Sequence, residues 1–153
     1  MQDKGNTGCI FCDVSNPKDD AANLVVYRGN LTYVMLNCYP YNNGHLMIVP
    51  FVHKPSLNSL DPKTRTELME MISQAEKVLG SVYDPNGFNI GTNIGSAAGA
   101  GIADHIHFHI VPRWSGDTNF MSTLGETRVI PEDLDETCQR VREAWLSDDH
   151  RNA

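Results

Sequence analysis

Long apolar segments are missing from this chain of 153 residues, and no run approaches the about 18 apolar residues that a membrane-spanning helix needs. The first residues, MQDKGNTGCIFCD, are polar and lack the basic segment followed by an apolar one that is typical of a secretory signal. We therefore expect a cytoplasmic protein with no membrane partner.

Positive charge is also scarce, because 12 lysines and arginines stand against 19 aspartates and glutamates, for a formal net charge of -7. General binding of nucleic acid needs a basic surface that displaces counterions from phosphates, so we expect no nucleic acid partner. A small anionic substrate is compatible with this charge if its site is locally favourable. The 4 cysteines are too few and too unevenly placed for the disulfide framework of a secreted domain.

The first half of the chain has the pattern of an antiparallel sheet. Residues 24–37, LVVYRGNLTYVMLN, contain two β-rich runs separated by Gly29 and Asn30, which predicts a hairpin with a two-residue turn. Strand character resumes in HLMIVP at 45–50, and GFNIGTNIG at 87–95 predicts a further strand. The length and the absence of internal repeats predict one domain over residues 1–153.

Two segments have the periodicity of helices. Asp61 can cap a helix and Pro62 suits its first position. Apolar residues then recur at helical spacing, at Leu68, Met71, Ile72, Ala75, Val78, Leu79 and Val82. The second predicted helix runs from Pro131 to about Leu146, and we expect residues 147–153 to form a flexible tail.

The segment ADHIHFHIVPRW, residues 103–114, holds three of the chain's 6 histidines, His105, His107 and His109. In a strand these side chains share one face, while Ile106, Phe108 and Ile110 share the other. Three interpretations are open from the residues alone: buried structural histidines, metal ligands, or nucleophilic and acid–base chemistry. The small-residue run GSAAGAGIAD before the histidines is not a dinucleotide fingerprint, since it opens a strand and not a helix, and it favours backbone that a ligand can approach closely.

The motif HIHFHIV resembles the His-x-His-x-His-x-x pattern, with x apolar, of the histidine triad superfamily of nucleotide hydrolases and transferases. LNCYPYNNGHLMIVP resembles the family's earlier strand-turn-strand element, and HIVPRWSGDTNF is similar to the extended triad of its diadenosine tetraphosphate phosphorylase and hydrolase branch. The resemblance implies an α+β fold, a five-stranded antiparallel sheet with two main helices, which usually pairs into a homodimer with a continuous sheet.

The resemblance also implies roles for individual histidines. His107, the middle histidine of the triad, takes the position of the nucleophile that attacks the α-phosphorus of a nucleotide and forms a covalent nucleotidyl-histidine. His109 would contact the phosphate oxygens, and His45 would help to orient the site. Asn37 matches a position whose side chain binds the ribose hydroxyls.

Further nucleotide contacts are expected from the small-residue loop and its neighbours. Backbone N–H groups around Gly101 and Ile102 are candidate donors to the nonbridging phosphate oxygens. Arg113 could add positive charge, or could be a solvated surface residue, and Asn93 could contact phosphate. Many family members have Gln or Ser where this chain has Gly101, so a side-chain hydrogen bond to the bridging or leaving oxygen is missing.

CIFC is a Cys-x-x-Cys pair, which by itself fits half of a four-ligand zinc site, a redox pair or two reduced thiols. In triad proteins that begin with such a pair, the remaining ligands resemble His53 and His105. The resemblance thus implies a structural Zn²⁺ site of Cys9, Cys12, His53 and His105. No organic cofactor is expected.

Taken together, these expectations describe an enzyme that cleaves the phosphoanhydride of diadenosine polyphosphates. The acceptor would be inorganic phosphate, which the extension after the triad favours, or water. The presence of His109 argues against uridylyl transfer to galactose phosphate, because those members have Gln there. The alternatives are a nucleoside phosphoramidate hydrolase and a nucleotide- or zinc-binding module without a covalent step.

Overall fold

Five antiparallel strands and two long helices form the framework of the computed structural model, which describes residues 8–14, 17–117 and 132–153. The strands are β1 (Val25–Arg28), β2 (Thr32–Leu36), β3 (Leu46–Pro50), β4 (Gly87–Gly91) and β5 (Phe108–Arg113). The helices are α1 (Ile10–Asp13), α2 (Pro62–Tyr83) and α3 (Leu134–Asn152), with 3₁₀ turns at Pro17–Asp19, Leu57–Ser59 and Ser96–Ala98. The sheet order is β1-β2-β3-β5-β4 with every neighbouring pair antiparallel, so the predicted α+β fold is confirmed.

The β1–β2 hairpin is confirmed, although its turn is shifted by one residue. The Gly29 N–H donates to the carbonyl of Thr32 at 2.8 Å, which places Asn30 and Leu31 at the centre of the turn in place of the predicted Gly29 and Asn30. The shift has a cause distant in the sequence, because the carboxylate of Glu67 on α2 accepts the backbone N–H groups of Asn30 and Leu31 at 2.9 and 2.7 Å.

Helix α2 begins as its sequence predicts. The Asp61 side chain accepts a hydrogen bond from the Thr64 N–H at 2.9 Å, and Pro62 occupies the first turn, where its missing N–H costs nothing. Its predicted apolar positions pack into the core, where six are buried and Val82 is partly buried.

Helix α3 differs from its prediction at the C-terminal end. It is capped by Asp133, begins at Leu134 and continues to Asn152, so the predicted end near Leu146 is wrong and residues 147–152 are helical. The extension is held because Asp148 is buried and pairs with Lys77 of α2 at 2.6 Å. Pro131, the predicted first residue, lies outside the described residues.

The histidine segment is only partly a strand. Strand β5 begins at Phe108, so His105 and His107 precede it and only His109 lies within it. The predicted alternation of faces nevertheless holds, because Ile106 and Ile110 lie in the core and Phe108 packs against it, whereas His105 and His107 contact Phe11 on the other side.

The sheet separates two apolar clusters. On one face Val34, Leu36, Leu46 and Ile48 pack with helices α2 and α3, and on the other Tyr33, Met35, Met47 and Val49 pack with the α1 segment. This alternation follows the period of two in β2 and β3. The α1 segment therefore covers the face of the sheet that also carries the histidines.

Within the described ranges, no helix is long and apolar enough to cross a membrane.

Candidate active site and metal centre

The pairing of β3 with β5 brings the separate histidines together. Met47 lies opposite His109 in the register, and His45 directly precedes β3, so its side chain reaches His109 across the sheet. The segment before β5 is fixed by two backbone contacts: the Ile106 N–H donates to Lys54 at 2.7 Å, and the Thr92 hydroxyl donates to the carbonyl of His107 at 2.6 Å. The result is a row of rings with centres 5.0 Å apart from His107 to His109 and from His109 to His45.

The tautomers of His45 and His109 follow from their hydrogen bonds. The Tyr41 N–H donates to His45 Nδ1 at 3.2 Å, so the neutral ring of His45 carries its hydrogen on Nε2. That Nε2–H donates to His109 Nδ1 at 2.8 Å, which leaves His109 with a hydrogen on its own Nε2. His109 can thus donate a hydrogen bond from Nε2 to a phosphate oxygen while its ring stays neutral.

Burial keeps these two rings neutral near pH 7. It is the main cause that lowers the pKa of His45 to about 4, with a smaller contribution from His109. The pKa of His109 is lowered by burial first and by His107 second. An anionic ligand would therefore meet the N–H of a neutral, polarised His109 ring here and not an imidazolium ion.

His107 has the geometry of a nucleophile. Its Nδ1–H donates to the carbonyl of His105 at 3.0 Å, which leaves the lone pair on Nε2. The side chain is 9% exposed and packs 4.8 Å from the ring of Phe11, measured between ring centres. Burial lowers the pKa of His107, and the backbone hydrogen bond partly opposes that effect. Its neutral imidazole, oriented through Nδ1, is the form that can attack an electrophilic phosphorus.

Four potential metal ligands converge beside this row. The ligand atoms of Cys9, Cys12, His53 and His105 all lie within 4.8 Å of one another. Nearest separations are 3.2 Å between the two Nδ1 atoms, 3.2 Å from Cys12 Sγ to His53 Nδ1, and 3.4 Å from Cys9 Sγ to His105 Nδ1. Tetrahedral bonds of about 2.0–2.1 Å to nitrogen and about 2.3 Å to sulfur give ligand–ligand edges close to these values.

The environment of His105 also fits a metal ligand. Its Nε2–H donates to the carbonyl of Pro50 at 2.8 Å, so the lone pair lies on Nδ1 and is directed at the cluster. His105 and Cys9 are buried, Cys12 is half-buried and His53 is exposed, which places the cluster at the edge of the apolar layer under α1. Two thiolates and two imidazoles form a donor set that suits zinc, so the residues fit the metal.

The predicted nucleotide contacts are distributed unequally around the row. Asn37 lies next to His45, with its Nδ2 3.4 Å from His45 Nε2, and its Oδ1 accepts the Tyr39 N–H. Asn93 is exposed on the loop after β4, and its Nδ2 lies 3.5 Å from the carbonyl of Gly99. Gly101 is exposed, and a Cβ atom there would meet nothing within 4 Å. Ile102 packs against the apolar cluster between α1 and the sheet.

Arg113 is not brought into the histidine row. It ends β5, six residues beyond His107, which is about 20 Å along an extended strand. Its guanidinium forms two hydrogen bonds of 2.8 Å with the carboxylate of Asp117 and one with Asn89. Its assignment as a nucleotide ligand stays a prediction.

Four contacts that shape the site were not predicted from the sequence. Tyr41, Thr92, Pro50 and the ring of Phe11 each hold a histidine in place. Three of them act at backbone atoms of themselves or of the histidines, and a backbone group carries no sequence signal. Phe11 lies inside the Cys-x-x-Cys pair, and this position was the available clue that its ring would reach the triad.

Comparisons with known proteins show the family to which this fold belongs. The family described as HIT domain matches residues 18–116. The chain is 44% identical over 126 residues to an AP-4-A phosphorylase of Mycobacterium tuberculosis, a match that covers 82% of this chain and 65% of that protein. It is 27% identical over 129 residues to the asymmetrical bis(5'-nucleosyl)-tetraphosphatase of Schizosaccharomyces pombe, with 84% of this chain and 67% of that protein covered.

Solved structures show the same fold. A zinc-bound histidine triad family protein from Mycobacterium smegmatis superposes with a TM-score of 0.75 at 27% identity, over 94% of this chain and 96% of that one. A hypothetical histidine triad nucleotide-binding protein from Sulfolobus tokodaii gives a TM-score of 0.74 at 25% identity, over 91% and 93% of the two chains. The chain thus belongs to the HIT domain family.

Proposed function

We propose that this protein cleaves the phosphoanhydride bond of diadenosine polyphosphates through a covalent adenylyl-histidine at His107. The observation that carries the proposal is the hydrogen bond of 3.0 Å from His107 Nδ1 to the carbonyl of His105, which orients Nε2 as the nucleophile. The phosphorylase and the tetraphosphatase among its relatives support the substrate class.

The first step is a displacement at the α-phosphorus. The Nε2 lone pair of His107 forms the N–P bond while the bond from phosphorus to the bridging oxygen breaks, and the rest of the substrate leaves with that electron pair. The imidazole becomes cationic, and its Nδ1–H, bonded to a carbonyl oxygen, stabilises that charge. His109 donates from Nε2 to a nonbridging oxygen because His45 holds its Nδ1.

The second step releases the nucleotide. An oxygen of inorganic phosphate, or of water, attacks the same phosphorus and breaks the N–P bond, so that His107 is restored as a neutral ring. We propose inorganic phosphate as the acceptor, which is supported by the identity of 44% to a phosphorylase. With phosphate the products of diadenosine tetraphosphate are ADP and ATP; with water they are AMP and ATP.

The remaining nucleotide contacts belong to the same proposal. Asn37 would bind the ribose hydroxyls, since it lies beside His45. The backbone N–H groups of Gly101 and Ile102, and the amide of Asn93, would bind phosphate oxygens. The open space around Gly101 supports a close approach of ligand to this backbone. For Arg113, loss of nucleotide affinity in Arg113→Ala would support the prediction.

We also propose that Cys9, Cys12, His53 and His105 hold a structural Zn²⁺. The metal would cross-link α1, the segment after β3 and the segment before β5, and it would supply folding stability and not reaction chemistry. The support is the short distances within the cluster and the oriented Nδ1 of His105. Two thiolate ligands need a reducing environment, which agrees with the expected cytoplasmic location.

A homodimer with a continuous sheet completes the proposal. Strand β4 is last in the sheet order and, in the described part of the chain, pairs with β5 on one side only. Ile90 on this strand is 46% exposed, so a second copy of β4 would pair the edge and cover that side chain. Light scattering on wild type and Ile90→Lys would test this, because a monomeric wild type would contradict it.

The experiment that tests the catalytic proposal is product analysis with diadenosine tetraphosphate, with and without inorganic phosphate. Wild type should yield ADP and ATP only when phosphate is present, and intact-mass spectrometry should detect an adenylyl adduct that His107→Ala lacks. His150→Ala is the matched control, since His150 is exposed on α3. Phosphate-independent AMP and ATP would indicate a hydrolase. No product from the wild type would favour a phosphoramidate hydrolase or a non-catalytic module.

A further inference from the structure

Two tyrosines in the loop before His45 are unusually exposed. Tyr39 is 88% and Tyr41 80% exposed, more than any other large apolar or aromatic side chain in the described part of the chain. Two exposed aromatic rings in one loop present apolar faces that a partner can cover.

The loop that carries these rings is fixed and does not owe their exposure to fraying. The Tyr39 N–H is held by the Asn37 side chain at 3.0 Å, and the Tyr41 N–H by His45 at 3.2 Å. The side chain of Asn42 donates to Pro112 at 3.0 Å and to Asp117 at 2.8 Å. A preorganised loop can present its rings to a ligand at low entropic cost.

The ring of Tyr41 continues the row of rings formed by His107, His109 and His45. Its centre lies 5.2 Å from that of His45, and the two planes are nearly parallel at 17°. The order of contacting rings is therefore His107, His109, His45 and Tyr41, starting at the proposed nucleophile. The row leads away from the metal cluster, because His105 lies on the opposite side of His107.

The substrate class supplies a partner for such a surface. After attack at one α-phosphorus, the departing part of a dinucleoside polyphosphate carries a second base, which a mononucleotide substrate lacks. One face of the Tyr41 ring stacks on His45, and a nucleobase can stack on an exposed aromatic ring in the same manner.

We propose that Tyr41 and Tyr39 form the subsite for the base of the leaving nucleotide, and so select dinucleoside polyphosphates over substrates with a single base. This inference rests on the proposed function. Both tyrosines contribute to specificity by binding the part of the substrate that does not react.

The test compares two substrates that transfer the same adenylyl group. The leaving group of diadenosine tetraphosphate carries a second adenine. The leaving group of adenosine 5'-tetraphosphate is inorganic triphosphate, which has no base. Tyr41→Ala and Tyr39→Ala should each lower kcat/KM for diadenosine tetraphosphate by about 5- to 150-fold, the range for loss of one base–aromatic stack. The value for adenosine 5'-tetraphosphate should change by less than about 2-fold in Tyr39→Ala. In Tyr41→Ala, whose ring also stacks on His45, it should fall less than the value for diadenosine tetraphosphate. Tyr41→Phe and Tyr39→Phe keep the stacking face and should retain the activity of the wild type.

Other results would overturn the inference. An equal loss on both substrates would assign the rings to the transferred nucleotide or to the support of His45. Unchanged kinetics on both would show that no base contacts them. A change of oligomeric state in the alanine variants, measured by light scattering, would assign the rings to a subunit interface. Failure of the proposed function gives a different result, since wild type would then cleave neither substrate.

Discussion

Acidification should destabilise this fold through His45, and the effect can be isolated with one substitution. His45 is fully buried, and its pKa falls from 6.5 in the unfolded chain to about 4 in the folded one, mainly through burial. Between these two values the unfolded state binds a proton that the folded state does not, so stability decreases as the pH falls through this window. From pH 7 to pH 5 the loss from this single group amounts to about 2 kcal/mol.

His45→Gln is the variant that separates this contribution from other acid effects. The Gln amide can still donate to His109 Nδ1, as His45 Nε2 does at 2.8 Å, but it does not titrate. Urea unfolding of zinc-saturated protein at pH 7, 6 and 5 should show a smaller loss of unfolding free energy in the variant, by about 2 kcal/mol over the range. Parallel pH dependences in the two proteins would refute the reasoning, because His45 would then titrate alike in both states.

Three further substitutions test other parts of the structure. Cys12→Ser should lose stoichiometric zinc and have a lower melting temperature than the wild type. Cys38→Ser, at an exposed cysteine outside the cluster, should keep the zinc and the wild-type melting temperature; mass spectrometry of the metal content would decide. Gly44→Ala should lower the free energy of unfolding, measured in urea, by more than about 1 kcal/mol, because φ is +78° and the new Cβ would lie 2.8 Å from the ring of Tyr83. Its control, Gly80→Ala, lies in α2 with open space around the new Cβ and should not lower this free energy. Gly101→Gln should keep the free energy of unfolding within about 0.5 kcal/mol of the wild-type value, since a Cβ there meets nothing within 4 Å. The same variant should raise the turnover of substrates with poor leaving groups. A destabilised variant would contradict this view of the loop.

The sheet and helices were largely predictable because they depend on local patterns. The β-rich runs that form β2 and β3, the Asp61–Pro62 start of α2 and its apolar stripe were each confirmed. The errors lie at element ends, where a distant residue decides. Glu67 moved the hairpin turn by one residue, and the pair of Asp148 with Lys77 extended α3 by about six residues. Neither contact is visible in the sequence near the affected end.

The site shows the same division. The sequence by itself predicted which side chains would carry the chemistry, because alternating histidines share one face of an extended segment and a Cys-x-x-Cys pair supplies two soft ligands. Only the tertiary structure decided which partner orients each ring. His105 bonds to Pro50 and is directed at the metal cluster, His107 is oriented by a backbone carbonyl, and His109 takes its tautomer from His45, 64 residues away in the chain. A histidine's role depends on which nitrogen holds the hydrogen, and that is set by partners that folding alone brings within 3 Å.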